Sequence, residues 1–284
     1  MQDIYISGES LLKEIESTNV IQDSVAFWSL GQSGIIIKGL KDNGMICIDP
    51  YLTNSIQDSN PRTEFVRAFE PVLSPNMLKN VAGVIATHEH DDHLDRQTIR
   101  GIADVTSEMT YMVPAPHVSL LEKVGISKDN IISAVAGEVY CIEGFKITPI
   151  PAAHTEYEQD EHGNHISLGY FIEVNGVRLY HSGDTIITPS LIEKVKEFNP
   201  HVAFLPINGG DYFRTSRGII GNMTFREAAD FAVHVGVDLI VPVHFDLFPN
   251  NRDNPAYFVD YLFHHYPRQK FHMMVAGERF IYHK

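Results

Sequence analysis

VIATHEHDDHLD, residues 84–95, carries three histidines and three aspartates directly after an apolar run that reads as a buried strand. In extended chain, residues two apart face the same way, so His88 and His90 can present their imidazoles to one point beyond the strand end. Asp92 and His93 follow where the chain turns toward a helix, LDRQTIRGIAD. Imidazole nitrogen and carboxylate oxygen are the donor set of zinc, manganese or iron, and the absence of thiolate leaves the choice among them open. A helix cap at Asp91 or Asp92 and a solvated turn histidine are the competing readings of any one residue.

A two-metal site needs further donors, and they arrive at later strand ends. His154 closes KITPIPAAH, Asp184 follows VRLYHSG, and His244 closes the very apolar LIVPVH. Ends of strands in an open α/β sheet are where side chains meet a cleft. Taken singly, His154 or His244 reads as a core or rim histidine and Asp184 as a turn residue. Together with the first stretch they make five histidines and two aspartates at strand ends, which outweighs those readings.

Around these motifs, short segments rich in β-branched and aromatic residues recur: 25–30, 34–40, 45–50, 81–88, 111–116, 146–154, 167–174, 177–184, 202–209, 238–245 and 271–282. Gly, Pro, Asn and Asp punctuate them, a strand signature. Helices are expected at SPNMLKNV, at DRQTIRGIAD opening on Asp95, at TPSLIEKVKEF opening on Thr188, and at TFREAADFAVHVG, where Thr224 and Glu227 form a capping box. Early strands in a hairpin run and later strands alternating with helices predict two packed sheets with helices outside, in one domain spanning 1–284. The polar stretches 52–64 and 155–166 read as functional loops.

A net charge of −14 argues against nucleic acid or an anionic membrane held by bulk electrostatics. Cys47 and Cys141 sit in apolar contexts without ligand spacing and read as core thiols of a reducing compartment. MQDIYISGESLLKEIES has no basic region followed by an apolar stretch, and no run approaches a membrane span. A cytoplasmic address and a small-molecule substrate are expected.

HEHDDH (88–93), His154, SGD ending at Asp184, and His244 resemble, in chain order, the signature motifs of the metallo-β-lactamase superfamily of metal-dependent hydrolases. FWSLGQSGIIIK (27–38), IDPY (48–51), ATHEHDDH (86–93), LYHSGDT (179–185), RGIIGNMTFREA (217–228) and VPVHFDLF (241–248) resemble its L-ascorbate-6-phosphate lactonase-like branch over nearly the whole chain. The resemblance implies a four-layer αββα sandwich with the site at one edge between the sheets. It also implies His88, His90 and His154 on one metal, Asp92, His93 and His244 on the other, Asp184 bridging them, and a homo-oligomer.

Two divalent ions, zinc by affinity order or manganese by the resemblance with iron not excluded, would activate a water as hydroxide. The expected reaction is hydrolysis of a small-molecule ester, with a lactone favoured, including a sugar-phosphate lactone such as L-ascorbate 6-phosphate. Asp92 and Asp184 are the expected catalytic carboxylates, Asp92 also orienting the nucleophile or moving its proton. Thr87, Asp95, His181 and Asp246 lie beside ligand motifs and are candidates for holding the imidazoles, with solvation or helix capping as the alternative. Arg214 and Arg217 could grip a phosphate or carboxylate, and Trp28 could line the cleft. Loop 155–166 could act as a lid, its His162 and His165 not serving as ligands. The same metal pair suits a phosphodiesterase or nuclease acting on small or cyclic phosphodiesters or RNA. A diiron redox protein is disfavoured, because that pattern has Glu where this chain has His90.

Overall fold

The computed structural model describes residues 4–284. Six strands open the first sheet: β1 (Ser24–Gly31), β2 (Gly34–Lys38), β3 (Met45–Ile48), β4 (Gly83–Ile85), β5 (Thr110–Pro114) and β6 (Ile131–Ala134). The chain then builds a second sheet from β7 (Tyr140–Ile142), β8 (Phe145–Pro151), β9 (Leu168–Val174), β10 (Val177–His181), β11 (Val202–Pro206), β12 (Leu239–Val243) and β13 (Lys270–Phe271). Finally β14 (Arg279–His283) returns to the first sheet and pairs antiparallel with β1. The resulting orders are β14-β1-β2-β3-β4-β5-β6 and β13-β12-β11-β10-β9-β8-β7. Each sheet is mixed, with parallel pairing from β3 to β6 and from β10 to β13.

Side-chain alternation divides the apolar residues among three layers. In β1, Val25 and Phe27 point between the sheets, while Ala26 and Trp28 point outward. In β11, Val202 and Phe204 point between the sheets, while Ala203 and Leu205 point to the other outer layer. Both faces of these strands are buried, which explains their continuous apolar runs. Helices α1 (Gly8–Ser17), α2 (Ser55–Ser59), α3 (Arg96–Ala103) and α4 (Val118–Lys123) belong to the first half of the chain. Helices α5 (Pro189–Phe198), α6 (Tyr212–Thr215), α7 (Phe225–Val235) and α8 (Ala256–His265) belong to the second. Leu11 and Ile15 of α1 and Ile99 and Ile102 of α3 pack on the first sheet, and residues of α5, α7 and α8 pack on the second. Two mixed sheets flanked by helices make the expected αββα sandwich. No described helix is long and apolar enough to cross a membrane.

Local signals placed several helices well. Thr188 and Asp95 cap α5 and α3 through backbone N–H groups, and Thr224 with Glu227 closes the capping box of α7. SPNMLKNV forms a 3-10 helix, Pro75–Asn80. α1, α4 and α8, which were not expected, start without a side-chain cap hydrogen bond. The 271–282 segment is not one strand: it breaks at Gly277 (φ +85°), where an added Cβ would run into the Ile6 backbone, and its halves join different sheets. Cys141 is corrected as well. Cys47 is buried, but Cys141 lies exposed on edge strand β7.

Phe27 sits between the sheets with its ring 5.1 Å edge-on from Phe204 and 5.4 Å from Phe280. Phe27→Ala is expected to cost about 3–5 kcal/mol in urea unfolding, by lost burial and a residual cavity. The midpoint should fall without a change in the denaturant slope.

Candidate metal centre

The C-terminal ends of β3, β4, β8, β10 and β12 meet at one edge of the sandwich. Strand β4 ends at Ile85, and THEHDDH is a tight turn in which the His93 and Leu94 N–H groups both donate to the His90 carbonyl. Turn geometry, not strand alternation, therefore gathers His88, His90 and His93. Beneath them lies Asp49, at the end of β3. Its carboxylate accepts from the Thr87 N–H at 2.8 Å, the Thr87 hydroxyl at 2.7 Å and His93 Nδ1 at 2.7 Å. With its proton given to Asp49, the Thr87 hydroxyl can accept from His88 Nδ1, 3.0 Å away. Both imidazoles then turn an Nε2 lone pair toward the edge.

The second sheet brings the other donors. Gly183 in SGD has φ +58°, and a Cβ there would lie 2.8 Å from Cβ of Thr87, so only glycine lets the two turns approach so closely. His181 holds that turn: its Nε2–H donates to the Ser33 carbonyl at 2.9 Å and its Nδ1 accepts from the Gly183 N–H at 3.2 Å. Behind His244, the loops 31–33 and 244–246 are tied together. The His244 N–H donates to the Gln32 carbonyl, and the Gln32 N–H donates to Asp246 Oδ1, each at 2.8 Å. Gln32 Nε2 in turn donates to Asp92 Oδ2 at 2.7 Å. Gln32, Asp49 and His244 all have φ between +47° and +60°. Such backbone costs about 1–3 kcal/mol per residue and gathers at functional sites.

Donor atoms of His88, His90 and His154 lie within 4.8 Å of one another, as do those of Asp92, His93 and His244. Asp184 lies between the two sets, with Oδ2 3.1 Å from His244 Nε2 and 3.5 Å from His154 Nε2, and Oδ1 3.3 Å from His93 Nε2. His93 Nε2, His154 Nδ1 and Asp184 Oδ1 are buried without a hydrogen-bond partner. Buried polar atoms are normally satisfied, so these orphans fit donors shaped for a cation. The field agrees. Burial alone would raise the Asp184 carboxyl, but His244 and His93 hold it well below the usual carboxylate range. Burial would lower His93, but Asp184, Asp92 and Asp49 push it well above an ordinary histidine. His88, dominated by burial and by its neighbour His93, is held well below. Burial lifts the Asp246 carboxyl to about 6, against the Gln32 N–H bond that opposes it.

Residues 45–245, more than half of the chain, match the family model described as the β-lactamase superfamily domain. The chain belongs to the β-lactamase superfamily. Its fold is shared with solved metallo hydrolases. Among curated proteins it is similar to the probable L-ascorbate-6-phosphate lactonase UlaG of Salmonella paratyphi B, with 24% identity over 87% of this chain and 77% of the relative. Among solved structures it resembles a possible metal-dependent hydrolase from Veillonella parvula (TM-score 0.72, 18% identity, 90% and 98% of the two chains). It also resembles Igni18, a metallo hydrolase from Ignicoccus hospitalis (TM-score 0.64, 22% identity, 92% and 99%).

Several expected site residues lie elsewhere. Trp28 is fully buried on the outward face of β1, where its indole N–H donates to Glu14 at 2.9 Å, so it does not line the cleft. Arg214 is buried against Asp211, Asp253 and the Asn208 carbonyl; it clamps its own loop. Arg217 is exposed and pairs with Glu64 at 3.0 Å. Asp95 caps α3 and accepts from the Thr53 and Thr98 hydroxyls, the capping alternative. Thr87 contacts the imidazoles, while His181 and Asp246 act one step removed, through the Asp184 turn and through Gln32. His162 and His165 belong to none of the donor groups among the described residues. Asp49 and Gln32 were missed as site residues. Asp49 ends an apolar strand just as the ligand motifs do, and that signal could have found it.

Asp49→Asn keeps the shape but removes the negative acceptor behind His93. Metal affinity, measured by competition with a chromophoric chelator, is expected to fall about 10- to 100-fold. The metal-free protein should also melt lower than the parent, because an Asn amide cannot accept from the Thr87 backbone, the Thr87 hydroxyl and His93 together.

Proposed function

We propose that the protein is a hydrolase of small-molecule esters, with a lactone as the favoured class, working with two divalent cations. The observation that carries this reading is the pair of three-residue donor sets, with Asp184 lying between them, beside a cleft of about 260 Å³. His88, His90 and His154 would hold one cation and Asp92, His93 and His244 the other, with Asp184 touching both. Zinc, manganese and iron all suit this nitrogen and oxygen set. Cations held there would supply a water of lowered pKa and polarise a carbonyl oxygen.

The remaining work falls to the chain itself. Opening a lactone adds water across the acyl C–O bond: oxygen joins the carbonyl carbon, the ring oxygen leaves with a proton, and a hydroxy acid results. Asp92 lines the cleft and is fixed by the Gln32 amide. Burial would raise its carboxyl, but His93 and His244 hold it below the usual range, so near neutral pH it is an ionised proton acceptor. Asp49, Thr87 and Gln32 keep the donors in place through the reaction. The similarity to a probable lactonase supports an ester substrate. A small substrate taken up in the cytoplasm is the setting this reading implies.

Protein purified without added metal should carry up to two equivalents by elemental mass spectrometry, and after reloading with zinc or manganese it should open lactones but not cyclic or linear phosphodiesters. Asp184→Ala and His90→Ala should lose both metal and activity. An Asp184→Ala enzyme with the parent rate would overturn the two-cation reading, and turnover of phosphodiesters alone would overturn the ester class.

A further inference from the structure

Resting on the ester-hydrolase reading, we infer that the site selects an uncharged substrate with an apolar substituent and disfavours a phosphorylated one. Above the donor sets, the wall of the cleft is made by Ile56, Phe65, Ile219, Ile220 and Phe248. Ile56, Phe65 and Ile220 carry the exposed hydrocarbon, and the almost fully buried Ile219 and Phe248 back it, the Phe248 ring braced by Phe65 at 5.5 Å and Tyr51 at 6.1 Å. This is a preformed apolar surface, the kind that gains affinity by covering hydrocarbon.

A phosphate would need cations there, usually arginine in a bidentate pair. Among the described residues, no lysine or arginine lines the cleft. Three arginines of the neighbouring segments, Arg214, Arg217 and Arg67, are engaged away from the lining, with one Arg67 nitrogen buried and unpartnered. Arg214 is held by two aspartates, and Arg217 pairs with Glu64. Arg67 lies over the Tyr51 ring and donates to the carbonyls of Tyr51, Thr53 and Phe69. The charged side chains besides histidine on the lining are Asp91, Asp92 and Asp184, all acidic. The donor sets and their cations would face the reacting carbonyl, so a remote phosphate dianion would meet apolar wall with no cationic partner, which penalises it by desolvation.

The test uses the metal-loaded enzyme with γ-lactones of increasing alkyl length, and with gluconolactone beside its 6-phosphate. The value of kcat/KM should climb by about 4-fold per added methylene until the wall is covered. The phosphorylated lactone should react more slowly than its unphosphorylated partner. Octanoate should inhibit more strongly than inorganic phosphate. Ile220 is 39% exposed at the rim, so Ile220→Ser should fold normally, with an unchanged melting temperature, and flatten the chain-length series. A flat series in the parent enzyme, or a phosphorylated lactone that matches or exceeds its partner, would overturn this inference and leave the lactonase reading standing. Failure of every lactone would remove both.

Discussion

The buried Asp49 carboxylate is the contact on which the rest of the centre depends. One side chain takes hydrogen bonds from the Thr87 backbone, the Thr87 hydroxyl and His93, and so determines where the HEHDDH turn sits and which imidazole nitrogens face outward. A carboxylate taken from water is costly unless it is fully hydrogen-bonded, and here three donors offset that cost. The order imposed on Thr87 is passed to His88, and through the close approach of Gly183 it reaches the turn that carries Asp184.

A second tie joins the sheets from the other side. Gln32 and His244 are both in left-handed backbone and are linked through hydrogen bonds that also engage Asp246 and Asp92. Strain in that loop and a concentration of buried ionisable groups both disfavour the folded state when considered alone. A bound divalent cation would stabilise the folded protein, since the donors are gathered only when the two sheets are packed. Metal loading would therefore be coupled to folding, and the sandwich core supplies the stability that lets the site be strained.

Scaffold and selectivity come from different parts of the chain. Strand ends hold the donors, whereas the walls above them come from α2, the segment around Phe65, the loop after α6 and the segment after β12. Loops of this kind change what enters a site without moving its chemistry. Family membership accordingly bears on the scaffold, and the character of the walls bears on the substrate.

The gathering of these histidines and aspartates was legible in the sequence because His88, His154, Asp184 and His244 each follow closely on an apolar segment, and such segments can be recognised locally. The same holds for α3, α5 and α7, whose capping residues lie within a few positions of the helices they start. Helices α1, α4 and α8, which start without a capping side chain, were not legible, nor was the division of 271–282 between two sheets, because both follow from contacts with distant residues. Trp28, Arg214, Arg217 and Asp95 show the same limit: an aromatic or charged residue next to a motif looks available, but its partner, Glu14, Asp253, Glu64 or Thr53, is brought to it only by folding. By itself the sequence determined the donor inventory and the layered class of fold, since periodicity and residue chemistry are local properties. Tertiary structure alone decided that Asp49 and Gln32 organise the centre and that an apolar wall stands above the histidines and aspartates of the cleft, because burial and pairing belong to residues far apart in the chain.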